Sequence, residues 1–264
     1  MRILNPKFYL DEFFQTLKKA NERALLLDYD GTLAPFREKR NEATPYPGIR
    51  EILTKILQAN HSRVAVISGR YSQDLIPLIG LRPLPEIWGS HGMERLKSNG
   101  DYELAQLDET VSNKLKEIKQ WVEYVALEKH SEEKPGAFAI HWREFTNERK
   151  KEIRELIKER WASAAGKAGL AIKEFDGGIE FRAVERNKGD AVNTILAEMG
   201  DDCVAAYLGD DLTDEDAFQA IKGRGIGILV RQEFRKTCAD MWLKPPEELL
   251  EFLSNWHNVT GGGK

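Results

Sequence analysis

The run Ala24-Leu25-Leu26-Leu27-Asp28-Tyr29-Asp30-Gly31-Thr32-Leu33 determines the kind of sheet this chain builds. Its leading apolar residues do not alternate with polar ones, which suits a strand buried on both faces of a parallel sheet. Gly31 breaks the pattern just after two carboxylates have appeared. Asp28 and Asp30 therefore stand where a buried strand ends, and the carboxyl edge of an open parallel sheet is where ligands and chemistry collect. Asp is also a common turn residue, so two acids capping the next loop is the other reading of this stretch taken alone.

Upstream, Phe8, Leu10, Phe13, Phe14 and Leu17 fall near helical spacing and predict an amphipathic helix over 8–20. Downstream, Pro35, Pro45, Pro47 and Gly48 bracket a polar connection, Ile49, Ile52, Leu53, Ile56 and Leu57 mark a helix, and Val64 to Ile67 is a second buried strand ending in Ser68-Gly69-Arg70. A helix between two such strands makes a parallel crossover the expectation. The segment Trp88-Gly89-Ser90-His91-Gly92-Met93-Glu94 stands out in the punctuated stretch that follows. Residues 95 to 180 read as α+β: a helix over Leu107 to Leu127, a strand over Ala137 to Trp142, a helix over Asn147 to Ala168, and two short strands within Leu170 to Phe181 turning at Asp176-Gly177-Gly178. Asn187-Lys188-Gly189-Asp190 opens a helix with Ala191, Ile195 and Leu196 on its apolar face. Val204 to Leu208 runs into Gly209-Asp210-Asp211-Leu212-Thr213-Asp214-Glu215-Asp216, and Gly225 to Val230 is a further strand. Glu233 to Phe252 is expected to close the chain with helical segments interrupted by Pro245 and Pro246.

A length of 264 residues allows a sizeable core in one domain or two, and 41% hydrophobic with 31% charged residues is the composition of an ordinary folded protein. The net charge of -4 argues against a mainly electrostatic nucleic-acid binder, so no nucleic-acid partner is expected. It admits an anionic substrate, because a metal ion and a few local cations reverse the field within one pocket. Met1 to Leu10 carries Arg2 and Lys7 without a signal-like apolar stretch. No segment approaches the roughly 18 consecutive apolar residues of a membrane span, so no membrane partner and a cytoplasmic location are expected. Cys203 and Cys238 are too few for a disulfide framework and are expected as reduced structural thiols. Gly261-Gly262-Gly263-Lys264 reads as a frayed tail.

Asp28-Tyr29-Asp30-Gly31-Thr32, Ser68-Gly69-Arg70, Lys188 and the acidic run 209–216 stand in the order nucleophile, hydroxyl, lysine and acidic cluster. With these four motifs the chain resembles the haloacid dehalogenase-like phosphatases, and among them the trehalose-6-phosphate phosphatases, over most of its length. The resemblance implies an α/β fold: a doubly wound Rossmann-like parallel-sheet core, residues 1–94 and 183–264, with an inserted α+β cap domain at 95–182. It implies hydrolysis of a small-molecule sugar phosphate, trehalose 6-phosphate, in trehalose biosynthesis. Asp28 is then the nucleophile that forms an aspartyl-phosphate, while Asp30 protonates the sugar oxygen and afterwards deprotonates the attacking water. Ser68 hydrogen-bonds the transferring phosphoryl group, and Lys188 offsets the charge of nucleophile and phosphate.

Carboxylates beside a dianionic phosphate require a cation, and Mg²⁺ favours oxygen ligands. The implied metal set is Asp28, the backbone carbonyl of Asp30, and Asp210, with Asp214 binding directly or through water and Asp211 in the same network. Thr32, Gly69, Arg70 and His91 are the substrate-binding candidates of the core. Lys134, His141, Arg143 and Glu180 are those of the cap. The family often carries a proline after the Glu-x-Arg of the last cap strand, whereas Ala183 follows Glu180-Phe181-Arg182 here, and this bears on which sugar is bound. Other activities retain the same core: a phosphatase for glucosylglycerol phosphate or a glycosyl phosphoglycerate, a phosphomutase, or a catalytically silent sugar-phosphate-binding regulator. The last usually shows a damaged motif, and here both Asp28 and Asp30 are present.

Overall fold

The structure, a computed structural model, describes residues 1–37, 39–175, 177–184 and 186–261. The chain begins with β1 (Arg2–Ile3), α1 (Leu10–Lys19), β2 (Arg23–Leu27), α2 (Ile49–Ala59), β3 (Arg63–Ile67), α3 (Ser72–Ile79), β4 (Glu86–Gly89), β5 (Glu94–Leu96) and β6 (Tyr102–Leu104). Then come α4 (Glu109–Tyr124), β7 (Ser131–Lys134), β8 (Ala137–His141), α5 (Asn147–Lys167), β9 (Leu170–Phe175) and β10 (Gly178–Ala183). It ends with α6 (Lys188–Met199), β11 (Val204–Gly209), α7 (Glu215–Ala220), β12 (Gly225–Val230), β13 (Met241–Leu243) and α8 (Glu247–Gly261).

Two compact units result, Met1–Glu103 with Asn187–Lys264, and Leu104–Arg186. Both divisions fall later than the expected 94/95 and 182/183. The first moves because β5 and β6 continue the edge of the large sheet, and the second because Ala183 still pairs with Leu170.

In the first unit the strand order among the described residues is β1-β13-β12-β11-β2-β3-β4-β5-β6. From β13 to β4 the neighbours run parallel, while β1 and β5 pair antiparallel with β13 and β4. The unbroken apolar run of β2 is explained by its burial on both faces. Leu25 and Leu27 join a core with Leu53, Ile56, Phe252 and Trp256 of α2 and α8, whereas Ala24 and Leu26 join a second core with Val192, Ile195 and Phe218 of α6 and α7. Helices thus cover both faces of the sheet, the doubly wound arrangement. From β2 the chain adds β3 and β4 on one side and β11 to β13 on the other, so the topological switch lies between β2 and β11.

Met241-Trp242-Leu243 corrects the helical expectation for the C-terminal segment: it is the strand β13, paired parallel with β12. Helix resumes only beyond Pro245-Pro246, and Gly261, expected in a frayed tail, belongs to α8. Gly262 to Lys264, and Asp176 of the expected turn, lie outside the described residues. Cys203 and Cys238 are free thiols. No helix among the described residues is long and apolar enough to cross a membrane.

The second unit has its own antiparallel sheet, ordered β7-β8-β10-β9, and its own core. Trp121 of α4 meets Trp161 of α5 edge-on at 5.8 Å, and Trp161 meets Phe181 of β10 at 6.2 Å. Thr146 caps α5 by accepting a hydrogen bond from Arg149 N, and Asp108 caps α4 by accepting from Thr110 N.

Gly225 opposes Ala205 in the parallel pair of β12 and β11. A Cβ at Gly225 would fall on the Ala205 carbonyl oxygen, a backbone atom that cannot turn aside. Gly225→Ala is therefore expected to destabilise the protein by about 1–3 kcal/mol, the usual range for overpacking, measured by denaturant unfolding. An unchanged midpoint would show that the sheet relaxes locally.

Candidate active site

Strand ends β2 and β11 deliver the first two carboxylates. Asp28 follows β2, and its N–H donates to Leu208 O of β11 at 2.8 Å, while Asp210 follows β11. Asp28, Asp210 and Asp214 are all buried, and each offers an oxygen within 4.8 Å of the others. Lys188 is the first residue of α6, whose start is set by a capping box between Asn187 and Asp190. Its Nζ donates to Asp28 Oδ1 at 2.6 Å and to Asp214 Oδ1 at 2.7 Å. The other oxygen of Asp28 accepts from Thr32 Oγ1 at 2.9 Å. Gly31 lies between them with φ +87°, and a Cβ there would strike Asp210 Oδ2, so a side chain is excluded.

Asp214 is completely engaged. Its Oδ1 accepts from Lys188 and from Tyr207 OH at 2.6 Å, and its Oδ2 accepts from the N–H groups of Asp210 at 3.0 Å and Asp211 at 2.8 Å. These four bonds use the acceptor capacity of a carboxylate, so Asp214 holds the loop and the lysine. Arg231 and Arg235 donate to the Asp210 carbonyl at 3.2 and 3.1 Å, fixing the loop from outside. The Asp211 side chain is exposed and stands outside the clustered carboxylates, as does that of Asp30.

Beside them, Ser68 is buried after β3, and its Oγ accepts from Arg70 N at 3.1 Å. His91 N donates to Ser68 O at 2.9 Å, and the His91 ring lies against Gly69, with Nε2 2.5 Å from where a Cβ would stand. Arg70 grips Asp30 through Nε to Oδ2 at 2.7 Å and Nη2 to Oδ1 at 2.5 Å. The structure thus brings Asp28, Asp30, Thr32, Ser68, Gly69, Arg70, His91, Lys188, Asp210 and Asp214 together in one unit.

The remaining candidates belong to the inserted unit. Lys134 of β7 pairs with Glu132 at 3.2 Å and Glu180 of β10 at 3.7 Å, and His141 Nε2 lies 3.0 Å from Glu132 Oε2. The His141 contact, with the Lys134 charge, holds the Glu132 carboxyl down at about 2 against its burial. Arg143 is exposed just beyond β8.

Burial dominates the electrostatics of the carboxylate cluster. It pushes the Asp28 carboxyl up to about 7, with Lys188 pulling it back and Asp214 adding to the rise. Asp210 is pushed up to about 9, by burial first and then by the charges of Asp28 and Asp214. Burial opposes the Lys188 ammonium, but Asp214 and Asp28 outweigh it and raise the group above its ordinary range. Tyr207, held well above the usual phenol range by burial and by Asp214, remains a donor. Hard oxygen donors in excess over the ammonium they share suit a divalent cation of the magnesium, calcium or manganese type, and the donor set fits one.

Sequence reading missed Tyr207 and Glu132. Tyr207 looked like one more core residue of β11. A tyrosine in an otherwise aliphatic buried strand nevertheless needs a partner for its hydroxyl, and that was the available signal.

This parallel sheet, whose strand ends carry Asp28, Ser68 and Asp210, has the fold of solved haloacid dehalogenase-like hydrolases. A solved member from B. subtilis superposes with a TM-score of 0.57 at 12% identity, covering 88% of this chain and 98% of that one. The family model described as trehalose-phosphatase matches residues 26–240, and the chain belongs to that family; it is a phosphoric monoester hydrolase. Arabidopsis thaliana trehalose-phosphate phosphatase B is 28% identical over 276 residues, 92% of this chain and 69% of that protein. Zea mays trehalose 6-phosphate phosphatase RA3 is 29% identical over 268 residues, 92% of this chain and 72% of that protein. The C-terminal domain of C. albicans trehalose-6-phosphate phosphatase shares the fold, with a TM-score of 0.71 at 23% identity, covering 98% of this chain and 99% of that domain.

The raised carboxyls have a consequence in pH. Unfolded, both would titrate near 3.8; folded, they hold their protons to about 7 and about 9. Their contribution to stability is complete below the unfolded value and is lost as pH rises through the folded values. A divalent cation binds the ionised forms and releases protons. The thermal midpoint of the cation-free protein is expected to fall from about pH 4 to about pH 9, and the rise on adding cation to grow over that window. A cation effect independent of pH would contradict this assignment.

Proposed function

We propose that this chain is a Mg²⁺-dependent phosphatase that hydrolyses trehalose 6-phosphate to trehalose and phosphate through an aspartyl-phosphate on Asp28. The observation that carries the reading is the buried Asp28 carboxylate, oriented by Lys188 at 2.6 Å and Thr32 at 2.9 Å beside Asp210. A nucleophile so held needs little reorganisation when a phosphoryl group arrives.

One Asp28 oxygen attacks phosphorus in line. The bond from phosphorus to the sugar oxygen breaks, and its electron pair stays on that oxygen, which takes a proton from Asp30. Water then attacks the aspartyl-phosphate and gives its proton to Asp30. The bond to Asp28 breaks, and its electrons return to the carboxylate. Ser68 donates to a phosphoryl oxygen. Lys188 balances the charge gathered on Asp28 and the phosphoryl group. Asp28, Asp210 and the Asp30 backbone carbonyl would hold Mg²⁺, which when bound neutralises phosphoryl charge. Asp214 keeps Lys188 and the Asp210 loop in place instead of spending its oxygens on the ion.

In the inserted unit, Lys134 and Glu180 are proposed to recognise sugar hydroxyls, as a donor and an acceptor, with His141 and Arg143 supporting them. A cytoplasmic location accompanies this reading, since Cys203 and Cys238 are free thiols of the kind that reducing compartments keep.

The test is phosphate release from trehalose 6-phosphate, glucose 6-phosphate, glucosylglycerol phosphate and a glycosyl phosphoglycerate, with Mg²⁺ and with chelator. A metal-dependent preference for trehalose 6-phosphate is expected, and Asp28→Asn is expected to lower kcat by at least about 10³-fold. Preference for another member rejects the sugar and keeps the chemistry. An isomerised sugar phosphate in place of free phosphate identifies a mutase, and equal turnover by Asp28→Asn removes Asp28 as nucleophile.

A further inference from the structure

Asp28 and Asp30 stand two residues apart, yet their partners are different. Asp28 takes Lys188 and Thr32, whereas Asp30 takes the forked guanidinium of Arg70 at 2.7 and 2.5 Å. We propose that Arg70 is a positioning residue that acts through Asp30, fixing the place and rotation of the carboxyl that serves as acid and base. The inference rests on the reading of Asp30 given above.

Two parallel N–H bonds from one rigid plane define the carboxyl plane as well as its position, which a point-charge ammonium cannot do. The fork takes one lone-pair site on each oxygen and leaves another on each for the proton in transit. Arg70 is itself held at every level. Its side chain is 5% exposed against 24% for Asp30. Its N–H donates to Ser68 Oγ at 3.1 Å, and its carbonyl accepts from Ser90 N at 2.7 Å. The guanidinium lies 5.6 Å over the ring of Tyr29, whose hydroxyl is anchored to Ala43 O at 2.7 Å.

The support continues one step further out. Ser90 and His91 are both left-handed, with φ of 49° and 59°, a conformation that costs non-glycine residues free energy and persists only where the surroundings enforce it. Glu94 enforces it. This buried carboxylate accepts from Ser90 Oγ at 3.1 Å, Ser72 N at 2.8 Å, Ser72 Oγ at 2.7 Å and Tyr102 OH at 2.9 Å. A chain of bonds therefore runs from Glu94 through Ser90 to Arg70 and ends on Asp30, while the bonds to Asp28 stand apart from it.

A direct role for Arg70 on phosphate predicts different kinetics, and leaving-group chemistry separates the two. A sugar alkoxide needs a proton to depart, whereas the stable para-nitrophenolate does not. Arg70→Lys, Arg70→Gln and Asp30→Asn are compared with wild type on trehalose 6-phosphate and para-nitrophenyl phosphate, together with competitive inhibition by orthophosphate. Both Arg70 variants are expected to lower the sugar-to-aryl kcat ratio by about 10²-fold, within the range of positioned acid–base catalysis, in parallel with Asp30→Asn. The orthophosphate inhibition constant is expected to hold steady.

A wild-type ratio in Arg70→Lys would show that charge alone suffices and overturn the proposal. So would a common rise in KM and in the orthophosphate constant at an unchanged ratio, the signature of a phosphate ligand. If Asp30→Asn leaves the ratio unaltered, the acid–base reading of Asp30 fails, and this inference with it. Two substitutions of different chemistry keep the comparison available if one of them does not fold.

Discussion

The Lys188 ammonium bridging Asp28 and Asp214 inside the protein is the contact on which the first unit depends. Buried carboxylates without partners would be prohibitively costly to desolvate. The bridge binds the end of β2, the start of α6 and the loop after β11 into one arrangement. Asp214 extends it by taking Tyr207 and two backbone N–H groups as well. The apolar strands and the charged site are consequently parts of one construction: the strands are buried on both faces so that their ends can hold charge away from water.

Much of this was legible along the chain. The unbroken run Ala24 to Leu27 announced a two-sided strand, and its termination in Asp28 placed a carboxylate at the sheet edge. The helical face of Ala191, Ile195 and Leu196 located α6, and with it Lys188. What could not be read were pairings set by the fold alone. Arg70 and Asp30 are 40 positions apart, and nothing local distinguishes an arginine that grips an acid from one that awaits a ligand. Tyr207 was hidden because its strand signal is the same as that of an aliphatic neighbour. β13 escaped because three residues before a Pro-Pro pair carry too little periodicity to separate strand from helix.

The division of the chain followed a different logic. The inserted unit could be seen from its change to α+β patterning, since its two long helices and hairpin strands differ from the parallel core. Its edges could not be placed, because β5 and β6 prolong the core sheet after the parallel strands end, and short edge strands leave little mark on a sequence. Its closed cluster of Trp121, Trp161 and Phe181 shows that it buries its apolar residues independently.

The position of β11 beside β2 also bears on synthesis. During translation, β2, β3 and β4 are made well before α6 and β11. The central strand is then bare along one edge, and Asp28 lacks its lysine until the whole inserted unit has been added. The nascent core therefore cannot close on its own early half. Until β11 arrives, an apolar edge of the kind that pairs with foreign strands stays open, and the intervening unit, with its separate core, sets how long that interval lasts.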